Sequence, residues 1–268
     1  LHFDIDVEYS RLMTGERFGD VGLTAGHDLV ALVELHRPPN NFFDLELVRS
    51  LAEAYEAVDG RAECRAIVLC SEGRHFCAGV DFMRPSPRAA GTALYIEAER
   101  LFRTQTPVVA AVQGAAIGGG LGLACSADFR IACPEARFSA NFARLGFHHG
   151  FALSTTLPAI VGQQHALDLL YTGRRVDGHE AARMGLCDRL VDAGDVRTVA
   201  HAFAAEIAGS APLAVRSIRA TMRAELADRA RAAMAREAEE QDRLRRTSDW
   251  AEGVRAAAER RTPRFEGR

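Results

Sequence analysis

Val108-Val109-Ala110-Ala111-Val112-Gln113-Gly114-Ala115-Ala116-Ile117-Gly118-Gly119-Gly120-Leu121-Gly122 places a buried-strand signal, a glycine triplet and a helix start in one run. The apolar stretch Val108 to Val112 has strand length, and the pattern after the triplet predicts a helix from Gly120 to about Ala127. Glycines at a strand end let the backbone approach a ligand and leave its N–H groups free to donate. At a helix start those groups also favour negative charge. The run does not match the dinucleotide fingerprint G-x-G-x-x-G, because neither register ends on glycine or alanine, so a nicotinamide cofactor is not expected.

Upstream, His75-Phe76-Cys77-Ala78-Gly79-Val80-Asp81-Phe82 is a second glycine-bearing stretch after a second buried-strand signal, Arg65 to Cys70. A helical pattern from Thr92 to Arg103 separates the two. Strand, helix and strand in that order predict parallel pairing through crossover connections. Further back lie a strand over Leu29 to Leu35, the punctuation Arg37-Pro38-Pro39-Asn40-Asn41, and an amphipathic helix over Asp44 to Val58 with Asp44 as N-cap. Downstream come a short strand, Phe129 to Cys133, an irregular segment, Phe138 to Gly150, and helices over Phe151 to Val161 and Gln163 to Thr172. Beyond Asp195 the Ala- and Arg-rich chain predicts helices at 195–208, 212–226 and 228–245. The class is α/β: a core over 1–194, whose first 28 residues have no assigned role, and a helical module over 195–268.

With 268 residues, 48% of them apolar, the chain can build a full core. A net charge of -3 gives no electrostatic reason to expect nucleic acid or an anionic membrane as partner. No run is apolar enough to cross a bilayer, and the first ten residues carry Asp4, Asp6 and Glu8 rather than a basic leader, so a cytoplasmic location is expected. The six cysteines show no C-x-x-C pair and the nine histidines no H-E-x-x-H, so neither a disulfide framework nor a metal site is expected. All 33 cationic residues are Arg. Lysine chemistry is therefore excluded, and Arg binds phosphate without readily exchanging a proton.

The two glycine stretches, A-G-V-D-F at 78–82 and P-V-V-A-A-V-Q-G-x-A-x-G-G-G at 107–120, together resemble the crotonase, or enoyl-CoA hydratase/isomerase, superfamily. R-P-P-N-N, the run L-x-x-T-G-R-R-V-D-G-x-E-A-x-x-M-G-L-C-D-R-L-V from Leu169 to Val191, and the ending R-R-T-P-R-F-E-G-R are similar too. The resemblance implies a crotonase fold: a spiral of ββα units followed by helices that mediate assembly into a homotrimer or homohexamer. It implies an acyl-CoA thioester as partner and no separate cofactor. It gives the oxyanion hole to the backbone N–H groups of Val80 and Gly119, with Ala78, Gly79, Asp81, Arg84 and Gly118 around the coenzyme and thioester. Two preorganised donors are worth several kcal/mol where charge develops on a thioester oxygen.

The resemblance also defines what is missing. Family hydratases carry two glutamates, and this chain has Gly122 and Phe142 at those positions. The aspartate used by dienoyl isomerases and by 4-chlorobenzoyl-CoA dehalogenase falls at Gly150, and the dehalogenase's helix histidine falls at Tyr95. By subtraction, His148 and His149 are the candidate proton-transfer groups, since histidine titrates near neutrality. Packing of the following helix start is the other reading of that pair. Tyr95 and Phe142 are expected at the acyl pocket. Two functions follow: an acyl-CoA enzyme that stabilises an oxyanion or enolate, or a non-catalytic acyl-CoA binder.

Overall fold

The computed structural model describes residues 14–81 and 90–268; Arg84 lies outside them. Seven strands form the main sheet in the order β1 (Thr14–Phe18), β2 (Val21–Ala25), β3 (Val30–Leu35), β4 (Ala66–Ser71), β5 (Val108–Val112), β7 (Phe129–Ala132) and β10 (Arg189–Leu190). β1 to β3 form an antiparallel meander, and every pairing from β3 to β10 is parallel. β4 and β5 are buried at every residue. That is why they read as continuous apolar runs rather than alternating ones.

Connections between the parallel strands run through α1 (Leu45–Asp59) and α2 (Ala90–Arg103). Asp44 caps α1 as expected, accepting a hydrogen bond from the Leu47 N–H at 3.0 Å. The Gly118–Gly119 step opens α3 (Gly119–Ser126), every residue of which is buried. A second, three-stranded sheet joins β6 (Ala115–Ile117), β8 (Arg137–Ser139) and β9 (Arg175–Asp177). The sequence reading left β8 inside its irregular segment and did not separate β6 or β9 at all. At three residues each, these strands carry no measurable periodicity.

After α4 (Leu153–Val161), α5 (Gln163–Thr172) and α6 (Gly178–Arg183) the chain becomes helical: α7 (Val196–Ala208), α8 (Pro212–Met222), α9 (Leu226–Leu244) and α10 (Ser248–Ala258). α7 packs on β4 and β5, α9 on α2 and α4, and α10 on the one-turn 3-10 helix at 143–145. Asp128, on the loop before β7, anchors α8 by accepting from Arg219 at 2.9 Å and Arg223 at 2.6 Å. Burial pushes the Arg223 guanidinium below its usual range. The helices after Asp195 thus fold back over the rest of the chain, and α9 reaches the candidate site. No single described helix is long and apolar enough to cross a membrane.

Candidate active site

The two glycine stretches meet. Cys77 pairs with Ala116 in a parallel bridge, its N–H donating to the Ala115 carbonyl at 2.9 Å while Ile117 N–H donates to the Cys77 carbonyl at 3.1 Å. The segment after Cys77 therefore runs along β6, and Gly79 is brought against Ile117 and Gly119. R-P-P-N-N holds this arrangement from below. Fully buried Asn41 donates through Nδ2 to the carbonyls of Glu72 (2.7 Å) and His75 (2.6 Å), and Asn40 O accepts from Ala78 N–H at 2.9 Å.

Side chains are excluded from the junction by contact. A Cβ on Gly79, whose φ is +83°, would sit 2.7 Å from the Ile117 carbonyl oxygen and 3.9 Å from Gly119 N. One on Gly119 would enter the Phe43 ring, and one on Gly120 the Cys77 carbonyl. Gly118 is left-handed at φ 57° and donates to the Ser139 carbonyl at 2.8 Å, so Gly119 becomes the first helical residue with no intrahelical acceptor. Among the described residues, neither Val80 N–H nor Gly119 N–H donates to a backbone carbonyl.

Both groups edge a cavity of about 100 Å3. Ala78, Gly79, Val80, Gly118, Gly119, Tyr95 and Phe142 all line it, so seven of the residues singled out in the sequence converge here. Asp81 and the histidine pair are outside the lining. Its walls are apolar and largely aromatic, with Phe43, Leu94, Leu145, Phe147 and Phe151 beside Phe142.

Phe151 accounts for the empty Gly122 position. A Cβ on Gly122 would lie 2.5 Å from Phe151 Cβ and 2.9 Å from its Cγ. The space into which a side chain at 122 would project is therefore filled by a benzyl group that also packs edge-on against Phe43, at 5.6 Å between centroids. Phe151 and Ala152 are both left-handed, at φ 60° and 58°. Non-glycine residues in that region cost of order 1–3 kcal/mol each and persist where the surroundings over-determine them. Here Glu237, fully buried on α9, does so: its carboxylate accepts from Ala152 N–H (2.9 Å), Ser154 N–H (3.0 Å) and Ser154 Oγ–H (2.6 Å). Burial pushes the Glu237 carboxyl above its ordinary range in spite of these donors.

His149 belongs to the same network. Ser154 has committed its proton to Glu237, so at 2.8 Å its oxygen accepts from His149 Nε2–H, which assigns the tautomer. The order His–Ser–Glu leaves the hydroxyl unactivated, because the imidazole donates to it rather than taking its proton. The Glu237 carboxylate is 3.8 Å from Nε2 but is directed at the serine and the helix start. Burial, and then the neighbouring His148, push the His149 imidazole down to about 4. His148 stacks on His149 at 4.0 Å, and its Nδ1 lies 2.8 Å from the His149 carbonyl oxygen.

At another part of the wall, Tyr95 Oη donates to Gln241 Oε1 at 3.2 Å, and Gln241 Nε2 donates to the His148 carbonyl at 3.1 Å. Burial raises the Tyr95 phenol above its ordinary range. The tyrosine hydroxyl occupies the space a Cβ at Gly150 would need. Gln241 and Arg245 line the cavity from α9 and its C-cap, and the sequence reading missed both. The signal lay in spacing: Glu237, Gln241 and Arg245 fall four apart, and the first two extend the buried stripe of Ala230 and Met234.

Comparison with known proteins agrees with this geometry. A model of the enoyl-CoA hydratase/isomerase family matches residues 26–268. The enoyl-CoA hydratase/isomerase of Pseudoalteromonas atlantica has a crystal structure similar to this one at a TM-score of 0.83, with 29% identity, covering 92% of this chain and 100% of that one. An enoyl-CoA hydratase of Mycobacterium tuberculosis is 29% identical over 256 residues, 91% of this chain and 94% of its own. The human peroxisomal bifunctional enzyme is 36% identical over 171 residues, which are 63% of this chain but only 24% of that longer protein. The chain belongs to the enoyl-CoA hydratase/isomerase family and has the crotonase fold.

Proposed function

We propose that this family member binds an acyl-CoA thioester with its carbonyl oxygen between the N–H groups of Val80 and Gly119, and stabilises the oxyanion or enolate that develops there. The observation that carries the reading is the junction itself: two N–H groups without carbonyl partners among the described residues, beside glycines where a Cβ would collide, at the edge of an apolar cavity. Ala78, Gly79 and Gly118 shape the approach of the thioester, and Asp81 and Arg84 serve the coenzyme portion. Standard hydration of a 2-enoyl thioester is not the reaction this site favours, since Gly122 and Phe142 supply no acid or base and Phe151 occupies the space a side chain at 122 would need. His148 and His149 remain the proton-transfer candidates of this reading, although neither ring lines the cavity and Phe142 stands edge-on to His149 at 6.5 Å between centroids.

The same aromatic wall favours a second reading, a binder that holds the thioester without turning it over. One experiment separates the two: titration with a panel of acyl-CoAs beside product analysis by mass spectrometry. Binding with a new product supports the enzyme, binding without one supports the carrier, and no binding to any thioester overturns both. Assembly into a trimer or hexamer is part of the proposal. Leu213, Ile218 and Met222 of α8 are 81%, 63% and 79% exposed, an apolar set that a neighbouring subunit would cover. A monomer by light scattering at micromolar concentration would remove it.

A further inference from the structure

We propose that Arg245 is a specificity residue that selects acyl groups carrying a carboxylate, so that the preferred substrates are monothioesters of dicarboxylic acids; this rests on the acyl-CoA reading above. The cavity that begins at Val80 and Gly119 includes Tyr95, Gln241 and Arg245 in its lining. An apolar acyl chain needs none of these polar groups, and a wall residue that is always charged makes such a chain a poor match.

Arg245, its side chain 32% exposed, lacks the close carboxylate that the more deeply buried Arg130, Arg219 and Arg223 have. Arg130 is paired with Asp188 at 2.9 Å, and Arg219 and Arg223 are paired with Asp128 at 2.9 and 2.6 Å. The carboxylate beside Arg245 is Asp242, 4.0 Å away and half exposed, a weak and solvent-screened partner. Instead the guanidinium is held by rings: its carbon lies 6.0 Å from the centroids of Phe147 and Trp250, which themselves pack edge-on at 4.4 Å. Its buried Nε has no hydrogen-bond partner among the described residues, a property it shares with the Nε of Arg65 and of Arg223. Aromatic contact fixes the position of a guanidinium without neutralising it or using its donors. What is left is an oriented fork whose terminal N–H groups, on a side chain 32% exposed, could meet a carboxylate with two parallel hydrogen bonds. Tyr95 has given its proton to Gln241 Oε1, so the second N–H of the Gln241 amide is the further donor in this wall.

The test is calorimetric titration of the whole protein with succinyl-, glutaryl- and adipyl-CoA beside butyryl-, pentanoyl- and hexanoyl-CoA, for the natural chain and for Arg245→Met and Arg245→Lys. The expected result is that at least one carboxylated thioester binds about ten-fold or more tightly than its neutral counterpart of equal length. Arg245→Met should abolish that preference, and Arg245→Lys should keep part of it. Three results overturn the proposal while leaving thioester binding intact: equal or tighter binding of all the neutral partners, an unchanged preference in Arg245→Met, or an equal loss for both series in that variant, which would assign Arg245 to the coenzyme's phosphates. Failure of every thioester to bind the natural chain would instead remove the acyl-CoA reading itself. Because the selectivity of the natural protein is the primary readout, a variant that folds poorly does not rescue the idea.

Discussion

Gly119 and Gly122 lie within one turn of the same helix, and at both a phenylalanine ring excludes a Cβ, yet with different consequences. At Gly119 the Phe43 ring takes the side-chain space, and what the residue offers at the cavity edge is its N–H, which has no carbonyl acceptor among the described residues. At Gly122 the void has been taken over by Phe151, so a position where family hydratases carry a carboxylate is now apolar wall. The comparison separates two kinds of chemistry. What is made from backbone groups depends on chain path and close packing, and many side-chain changes around it leave it intact. What is made from side chains is lost with a single substitution, and a neighbour can then fill the space.

The largest effect expected from this difference is on hydration. With neither glutamate in place, crotonyl-CoA turnover should lie about 10,000-fold or more below that of a two-glutamate hydratase. Restoring one carboxylate by Gly122→Glu should not recover it, and should lower the melting temperature, because the new side chain meets Phe151. Turnover near 1,000 per second, an order of magnitude typical of efficient enzymes, would break the comparison at its apolar end.

At the backbone end, Gly79→Ala should reduce turnover of any accepted thioester by about 100-fold, the scale of losing one oxyanion donor. Its Cβ would push Ile117 and displace the neighbouring Val80 N–H. Steady-state kinetics on a folded variant decide this, and unchanged kcat/KM would mean the donors are not used.

The network behind Phe151 gives a pH effect. His149 is held down to about 4 in the folded chain against an ordinary 6.5, so the unfolded chain takes up the proton first as pH falls. The stability this represents is fully present above pH 6.5 and is lost as pH drops from there toward 4. Allowing for the ring's partial exposure, about 2 kcal/mol is at stake. His149→Gln should flatten that part of a urea-denaturation series. A loss of stability centred instead above pH 7 would contradict the assignment.

A smaller effect belongs to the C-terminal tail. Glu252 accepts from Arg255, Arg261 and the Arg264 N–H, which holds its carboxyl well below the usual carboxylate range. Its contribution is present above the ordinary carboxylate pKa and fades only as pH falls well below it. Glu252→Gln should release the tail to proteolysis at neutral pH with little change in the melting temperature.

The buried parallel strands and the glycine junction were legible because their determinants are local: β4 and β5 are unbroken apolar runs, and Asp44 stands one residue before α1. The β1–β2 hairpin also had a signal, Gly19-Asp20 between two strand-like runs, which the sequence reading passed over. α10 was not separated from the tail, although Thr247 caps it by accepting from Trp250 N–H at 3.2 Å. Phe151 filling the Gly122 space could not be read, because it joins residues 29 positions apart through a left-handed turn that Glu237, farther still along the chain, holds in place. The histidine pair was singled out by its titration range, and its place outside the cavity lining, with His149 bonded to Ser154, carried no local signal.

The central claim is that a thioester carbonyl sits between Val80 N–H and Gly119 N–H, and difference infrared spectroscopy of a bound acyl-CoA with a 13C-labelled thioester carbonyl tests it at the atom concerned. Two donors in an apolar cavity polarise the C=O bond more than water does, so the labelled band should move to lower frequency on binding and move back in Gly79→Ala. A band at or above its frequency in water, in a complex shown by titration to be saturated, would contradict the claim.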